Sequence, residues 1–139
     1  MQAALAEFTA LAAALGLPYG GAKTAGENLL LPSAVGALRP AFLAPQAQLA
    51  GDSSRTEPML IVGFQGLRDF YPELIAENLA KQGIPARAAF LPLSLLTAQH
   101  DRNTVQLALG LDDSLLSARL GGELKRLVTV ILQEVDEWP

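Results

Sequence analysis

The sequence predicts an α+β fold: a single two-layer domain with a mostly antiparallel sheet of about five strands and three helices. Apolar residues recur at helical spacing near both ends of the chain, and short apolar runs of strand length lie between them. A length of 139 residues is typical of one domain. We therefore predict one domain over residues 1–139, with a flexible loop near residues 50–57.

The first third of the chain predicts one helix followed by weak strands. Residues 28–31 form a short, mostly apolar run, and residues 42–43 lie between two prolines, which restrict any strand there to a sheet edge or a short run. The polar residues 51–55 predict an exposed loop. The opening helix is predicted by apolar side chains at helical spacing before a glycine and a proline: Leu5, Phe8, Leu11 and Leu15, then Gly16 and Pro18.

A strand, a helix and a second strand are predicted in the middle of the chain. Residues 59–64 are continuously apolar and have the length of a buried strand. Asp69 is a plausible helix N-cap, Pro72 then falls in the first turn, and Gly83 ends the helix. Residues 86–91 predict the second strand. This order suits a parallel pair of strands.

A hairpin and a closing helix are predicted in the last third. Apolar residues alternate over residues 105–111, which is typical of a strand with one buried face. Residues 112–114 are turn formers, and residues 115–120 would return as the antiparallel partner strand. The closing helix is predicted by one apolar stripe: Leu124, Leu127, Val128, Ile131, Val135 and Trp138.

The composition argues against several kinds of activity. The chain has no cysteine and a single histidine, His100, so a thiol nucleophile, a disulfide and a typical zinc site are all excluded. We expect no metal and no cofactor. The net charge of −4 argues against direct nucleic-acid binding, which needs a basic surface. The absence of a long apolar segment argues against a membrane span, and the absence of a basic leader favours the cytoplasm.

Two segments contain residues that could bind a ligand or catalyse a reaction. The segment 63–66, Gly-Phe-Gln-Gly, follows a strand and precedes a helix, so its backbone amides could receive an anion. His100 stands next to Asp101 and would need a nucleophile placed beside it by the fold. Tight-turn and surface-loop interpretations are favoured for these two places, which argues against an enzyme.

Patches at the two ends of the chain resemble a known family type. The opening residues 8–17 look like the first helix of type III secretion chaperones and the related YbjN-like proteins. Residues 105–109 and 115–120, with the helix ending at 134–138, look like the closing part of those proteins. The middle, residues 59–92, departs from their usual order. The resemblance implies a small, acidic, often dimeric protein that is not an enzyme and that binds other polypeptides.

We therefore predict a cytoplasmic, non-enzymatic protein-binding module that acts as a homodimer. Its partner would be another protein, which apolar helix and strand surfaces would bind. Leu127, Ile131 and Trp138 are the expected packing or dimer residues. One alternative is a small α/β enzyme or ligand-binding domain that uses the 63–66 turn and His100. Another is an accessory protein of a nucleic-acid-processing complex that acts through protein contacts.

Overall fold

The computed structural model describes residues 2–22, 26–92 and 103–133. Within these ranges the chain forms four α-helices, six strands and one 3-10 helix. In chain order these are α1 (Gln2–Ala14), β1 (Tyr19–Gly20), β2 (Leu29–Pro32), β3 (Leu38–Ala41), β4 (Ala44–Pro45), the 3-10 helix (Gln46–Gly51), β5 (Met59–Gln65), α2 (Pro72–Ala80), β6 (Ala86–Pro92), α3 (Thr104–Leu111) and α4 (Ser114–Gln133).

The first four strands form two small antiparallel sheets. β1 pairs with β4, and β2 pairs with β3 in a hairpin whose register runs from Leu29 opposite Ala41 to Pro32 opposite Leu38. Leu29, Leu31 and Ala44 are buried together, with Leu49 of the 3-10 helix packed against them. This cluster is the core of the N-terminal half. The predicted strand at residues 28–31 is thus confirmed with a shift of one residue.

The middle of the chain is a strand–helix–strand unit, as predicted. β5 and β6 are parallel, in register from Met59 opposite Ala86 to Gln65 opposite Pro92. The helix α2 packs on both strands and buries Ile75, Ala76 and Leu79. β5 is less covered than a fully buried strand, because most of its residues are only half-buried.

The predicted single sheet of about five strands is wrong. The described strands form three separate two-stranded sheets, although the coarser α+β class is confirmed. Each ladder contains proline, at Pro45, at Pro32 and Pro40, and at Pro92. Proline has no N–H to donate to a further strand, so the strands that contain it, β2, β3, β4 and β6, are poor edges for extension into one sheet.

The predicted C-terminal hairpin is also wrong, because residues 105–111 and 115–120 are helical. They belong to α3 and to the first turns of α4, which begins ten residues before Leu124. Asn103 caps α3: its side-chain oxygen accepts from the Gln106 amide at 2.9 Å, and the Gln106 side chain accepts from the Asn103 amide at 3.1 Å. Asp113 accepts from the first amides of α4. The described chain thus has four α-helices where three were predicted.

Asp69 does not cap the helix that follows it. The N-cap of α2 is Tyr71, which makes no capping side-chain bond. The Asp69 carboxylate instead accepts from the backbone N–H and the hydroxyl of Thr104, both at 2.8 Å. These two bonds fasten the start of α3 beside the β5–α2 connection.

Residues 50–57, predicted as a flexible loop, run alongside β2. The Leu30 amide donates to the Asp52 carboxylate at 2.9 Å, and the Ser53 amide donates to the Leu30 carbonyl at 2.9 Å. Arg55 donates to the Ala50 carbonyl at 2.7 Å. The loop therefore has defined contacts, and its flexibility stays a prediction.

In the described part of the chain, no helix combines the length and the apolar character that crossing a membrane requires.

Candidate functional site

The predicted packing residues belong to the closing helix. Leu127 is half-buried in α4, on the stripe that also carries Leu120, which is only 9% exposed. Ile131 lies in the last turn of α4, but its side chain is outside the described part. Trp138 lies outside the described residues. Leu127 is therefore partly covered, and the packing or dimer roles of all three residues stay predictions.

Large apolar side chains on α3 and α4 are exposed. Val105 and Leu109, one turn apart on α3, are 65% and 68% exposed. On α4, Leu115 is 81%, Val128 40% and Val130 50% exposed. Val105 and Leu109 share one side of α3, and Leu115 and Val130 share one side of α4, whereas Val128 lies two residues from Val130 and projects from another side. We call Val105, Leu109, Leu115 and Val130 the α3–α4 surface. Exposed valine and leucine are common singly, but several grouped on adjoining helices are typical of an interaction surface.

The opening helix also leaves apolar side chains uncovered. Only Ala12 of α1 is buried, whereas Phe8, Leu11 and Leu15 have large exposed fractions. Phe8 and Leu11 of α1 and Leu15, the residue directly after it, recur at helical spacing, and we call these three residues the α1 stripe. Glu7 is the only charged residue in α1. The Phe8 ring meets the Tyr19 ring edge to face, with centroids 5.1 Å apart, which fixes one end of the stripe against β1.

The 63–66 turn lines a cavity of about 370 Å³ at the carboxyl ends of the parallel strands. Because β5 and β6 run the same way, both strands end at this edge, and α2 begins there. Four of the chain's eight aromatic residues line the cavity. We call it the aromatic cavity; its described lining is Phe64, Gln65, Gly66, Leu67, Phe70, Tyr71, Pro72, Glu73 and Phe90.

Two local features shape the aromatic cavity. Gly66 has a φ of +86°, a conformation that glycine adopts without strain, and it turns the chain sharply after β5. The Tyr71 hydroxyl donates to the Arg68 carbonyl at 2.6 Å, which holds its ring at the rim. The sequence predicts the turn but not the aromatic residues around it. Phe70 and Tyr71 directly precede Pro72, and Phe90 lies near the end of β6. Because parallel strands bring their ends together, these positions could have indicated a shared site.

The pair Asp112–Asp113 has a structural role. One Asp113 oxygen accepts from the Leu115 amide at 2.8 Å and from the Leu116 amide at 3.1 Å. A carboxylate in this position satisfies the free N–H groups at a helix start. Within the described ranges, no group of three histidine, cysteine, aspartate or glutamate residues is placed to hold a metal ion.

The enzyme hypothesis depended on His100, which lies outside the described residues. The structure therefore does not test whether His100 approaches the 63–66 turn. Comparison with known proteins does not supply a family either: no family model matches the chain, and no solved structure matches it. The resemblance to type III secretion chaperones and YbjN-like proteins stays a prediction.

Proposed function

We propose that this chain is a non-enzymatic protein-binding module that acts as a homodimer, of the secretion-chaperone or YbjN-like type. The exposed apolar residues of the α3–α4 surface are the observation that carries the proposal. Removing apolar surface from water contributes about 25 cal/mol per Å², so covering these side chains favours association.

A second copy of the chain is the occupant that the charges of this region favour. The described part of α4 carries Arg119, Lys125 and Arg126 against one acidic residue, Glu123, and Asp112 and Asp113 stand just before it. In an antiparallel pair, the start of one α4 lies along the later turns of the other. The two aspartates of each copy then approach Lys125 and Arg126 of the other copy.

The same pairing suits the apolar residues. A two-fold interface uses one surface twice, so each contact is repeated. With the helix starts placed as above, Val130 of one copy lies towards the α3 helix of the other, where Val105 and Leu109 are exposed. At 20 residues, α4 is about 30 Å long, which gives the pair an extended seam. Leu127 and Ile131 would contribute along this seam.

The α1 stripe and the sheet edges are then available to a partner polypeptide. An apolar helix face can pack with an amphipathic segment of another protein, and a strand edge can pair with an extended one. Among the described strands, β5 and β6 pair only with each other, and β5, which contains no proline, offers an outer edge for such pairing. Partner binding is therefore assigned to α1 and β5–β6, and dimerisation to α3–α4.

Paired variants test this division. Leu109→Glu and Val130→Glu place a charge in the α3–α4 surface, and we expect each to give a monomer by light scattering after gel filtration, with an unchanged circular dichroism spectrum. Leu11→Glu changes the α1 stripe and should leave the dimer intact. It should bind the partner polypeptide more weakly than the wild-type chain does. If Leu109→Glu and Val130→Glu keep the oligomeric state of the wild type, the proposed dimer surface is wrong.

A further inference from the structure

The aromatic cavity has a chemistry that the proposed dimer does not use. Phe64, Phe70, Tyr71 and Phe90 line it together with Glu73. No lysine, arginine or histidine is present among its described lining residues. Its volume of about 370 Å³ lies within the usual range of small-ligand sites, roughly 300–1,000 Å³.

The charges at the cavity disfavour an anion. The start of α2 contributes a partial positive charge of about half a unit, and backbone amides in a turn before a helix could receive an anion. However, the first residue of α2 is Pro72, which has no N–H to donate. Glu73 follows in the first turn and brings a full negative charge. Glu73 is the one charged residue in the described lining of the cavity, so the lining favours a positive group over an anion.

Aromatic rings and a carboxylate together favour an organic cation. The faces of phenylalanine and tyrosine rings attract a cation, and this attraction is the basis of aromatic cages for quaternary ammonium groups. The rings also pack against the apolar carbons around such a group. We infer that the aromatic cavity binds an organic cation, either a free alkylammonium compound or a lysine side chain of a bound polypeptide, with Glu73 as its counter-charge.

Titration of the 15N-labelled protein, followed by NMR, tests the inference. Choline represents the free cation, N-acetyl-lysine methylamide represents the peptide side chain, and 3,3-dimethylbutan-1-ol is the neutral isostere of choline. We expect the cations to shift the amide signals of residues 64–73. The neutral alcohol should bind at least about fivefold more weakly than choline. Whichever cation binds more tightly identifies the source.

Variants separate the two parts of the site. Glu73→Gln and Tyr71→Leu should each weaken choline binding by about threefold to tenfold, whereas Tyr71→Phe keeps the ring but loses the bond to the Arg68 carbonyl, so it should weaken binding less than Tyr71→Leu does. Glu77→Gln, an exposed glutamate one turn further along α2, is the matched control and should have no effect. Equal binding of choline and its neutral isostere, no binding of either cation, or equal effects of Glu73→Gln and Glu77→Gln would overturn the inference.

Discussion

At the scale of single residues, two glycines determine how closely α2 can approach the strands around it. A Cβ atom at Gly63 would collide with the Pro72 ring and lie 3.5 Å from the Phe70 ring. A Cβ atom at Gly36, whose φ is +77°, would lie 2.6 Å from the Ile75 carbonyl oxygen. Both contacts are with α2 or its start, so these glycines allow close packing that any larger residue would prevent.

Gly63→Ala is predicted to destabilise the protein by about 1–3 kcal/mol, the usual cost of extra atoms in a packed site. Urea unfolding followed by circular dichroism measures the change. Gly121→Ala is the matched control: Gly121 lies in α4 with open space around its Cβ position, so alanine should stabilise the helix by roughly 0.5–1 kcal/mol. A neutral Gly63→Ala variant would contradict the close contact with Pro72.

Capping residues were the local signal that mattered most in the C-terminal third. Residues 105–111 alternate between apolar and other side chains, and this alternation predicted a strand. Yet leucine, alanine and glutamine are good helix formers, and Asn103 with Gln106 forms a capping box. The turn formers at residues 112–114 were helix-starting residues as well. In a short segment the helical and strand periods of apolar residues are hard to separate. Capping residues at the ends of the segment then indicate a helix.

At the scale of elements, Asn103→Ala is predicted to cost about 1 kcal/mol, because it removes the cap of α3. Asn103→Ser keeps a side-chain oxygen that can accept from the Gln106 amide, so its cost should be only a few tenths of a kcal/mol. Thermal unfolding of the two variants under identical conditions gives the comparison. Equal losses from alanine and serine would mean that the capping box contributes nothing to stability.

The strand–helix–strand unit could be predicted because its signals agree with one another. A continuous apolar run, a proline in the first turn of a helix and a glycine after it all indicated the same three elements. The division into three sheets could not be predicted from element order, since it depends on which strand edges meet. The prolines are evident in the sequence, but their effect on sheet extension can be judged only when it is known which strands pair.

At the scale of the whole molecule, one side-chain amide of α2 and another from the turn that follows it join the two halves. The Asn78 side chain donates to the Val35 carbonyl at 2.8 Å, and the Gln82 side chain donates to the Gly36 carbonyl at 2.8 Å. Both acceptors lie in the turn between β2 and β3. These bonds hold the N-terminal hairpin against the helix of the strand–helix–strand unit.

The double variant Asn78→Ala with Gln82→Ala is therefore predicted to lower the free energy of unfolding by about 1–3 kcal/mol, at about 0.5–1.5 kcal/mol for each bond. Hydrogen exchange should accelerate at the amides of β2 and β3 more than at those of β5 and β6. Glu77→Ala, on the same helix but without a hydrogen bond to the hairpin among those described, serves as the control. Uniform acceleration in both halves would contradict a local joining role.

The mass of the wild-type chain in solution tests the proposed homodimer most directly. Light scattering after gel filtration, over a range of micromolar concentrations, should give twice the chain mass of 14.7 kDa. Moderate salt should weaken the dimer slightly, because the proposed contacts between Asp112–Asp113 and Lys125–Arg126 are exposed charges. A mass of 14.7 kDa at every concentration would contradict the homodimer.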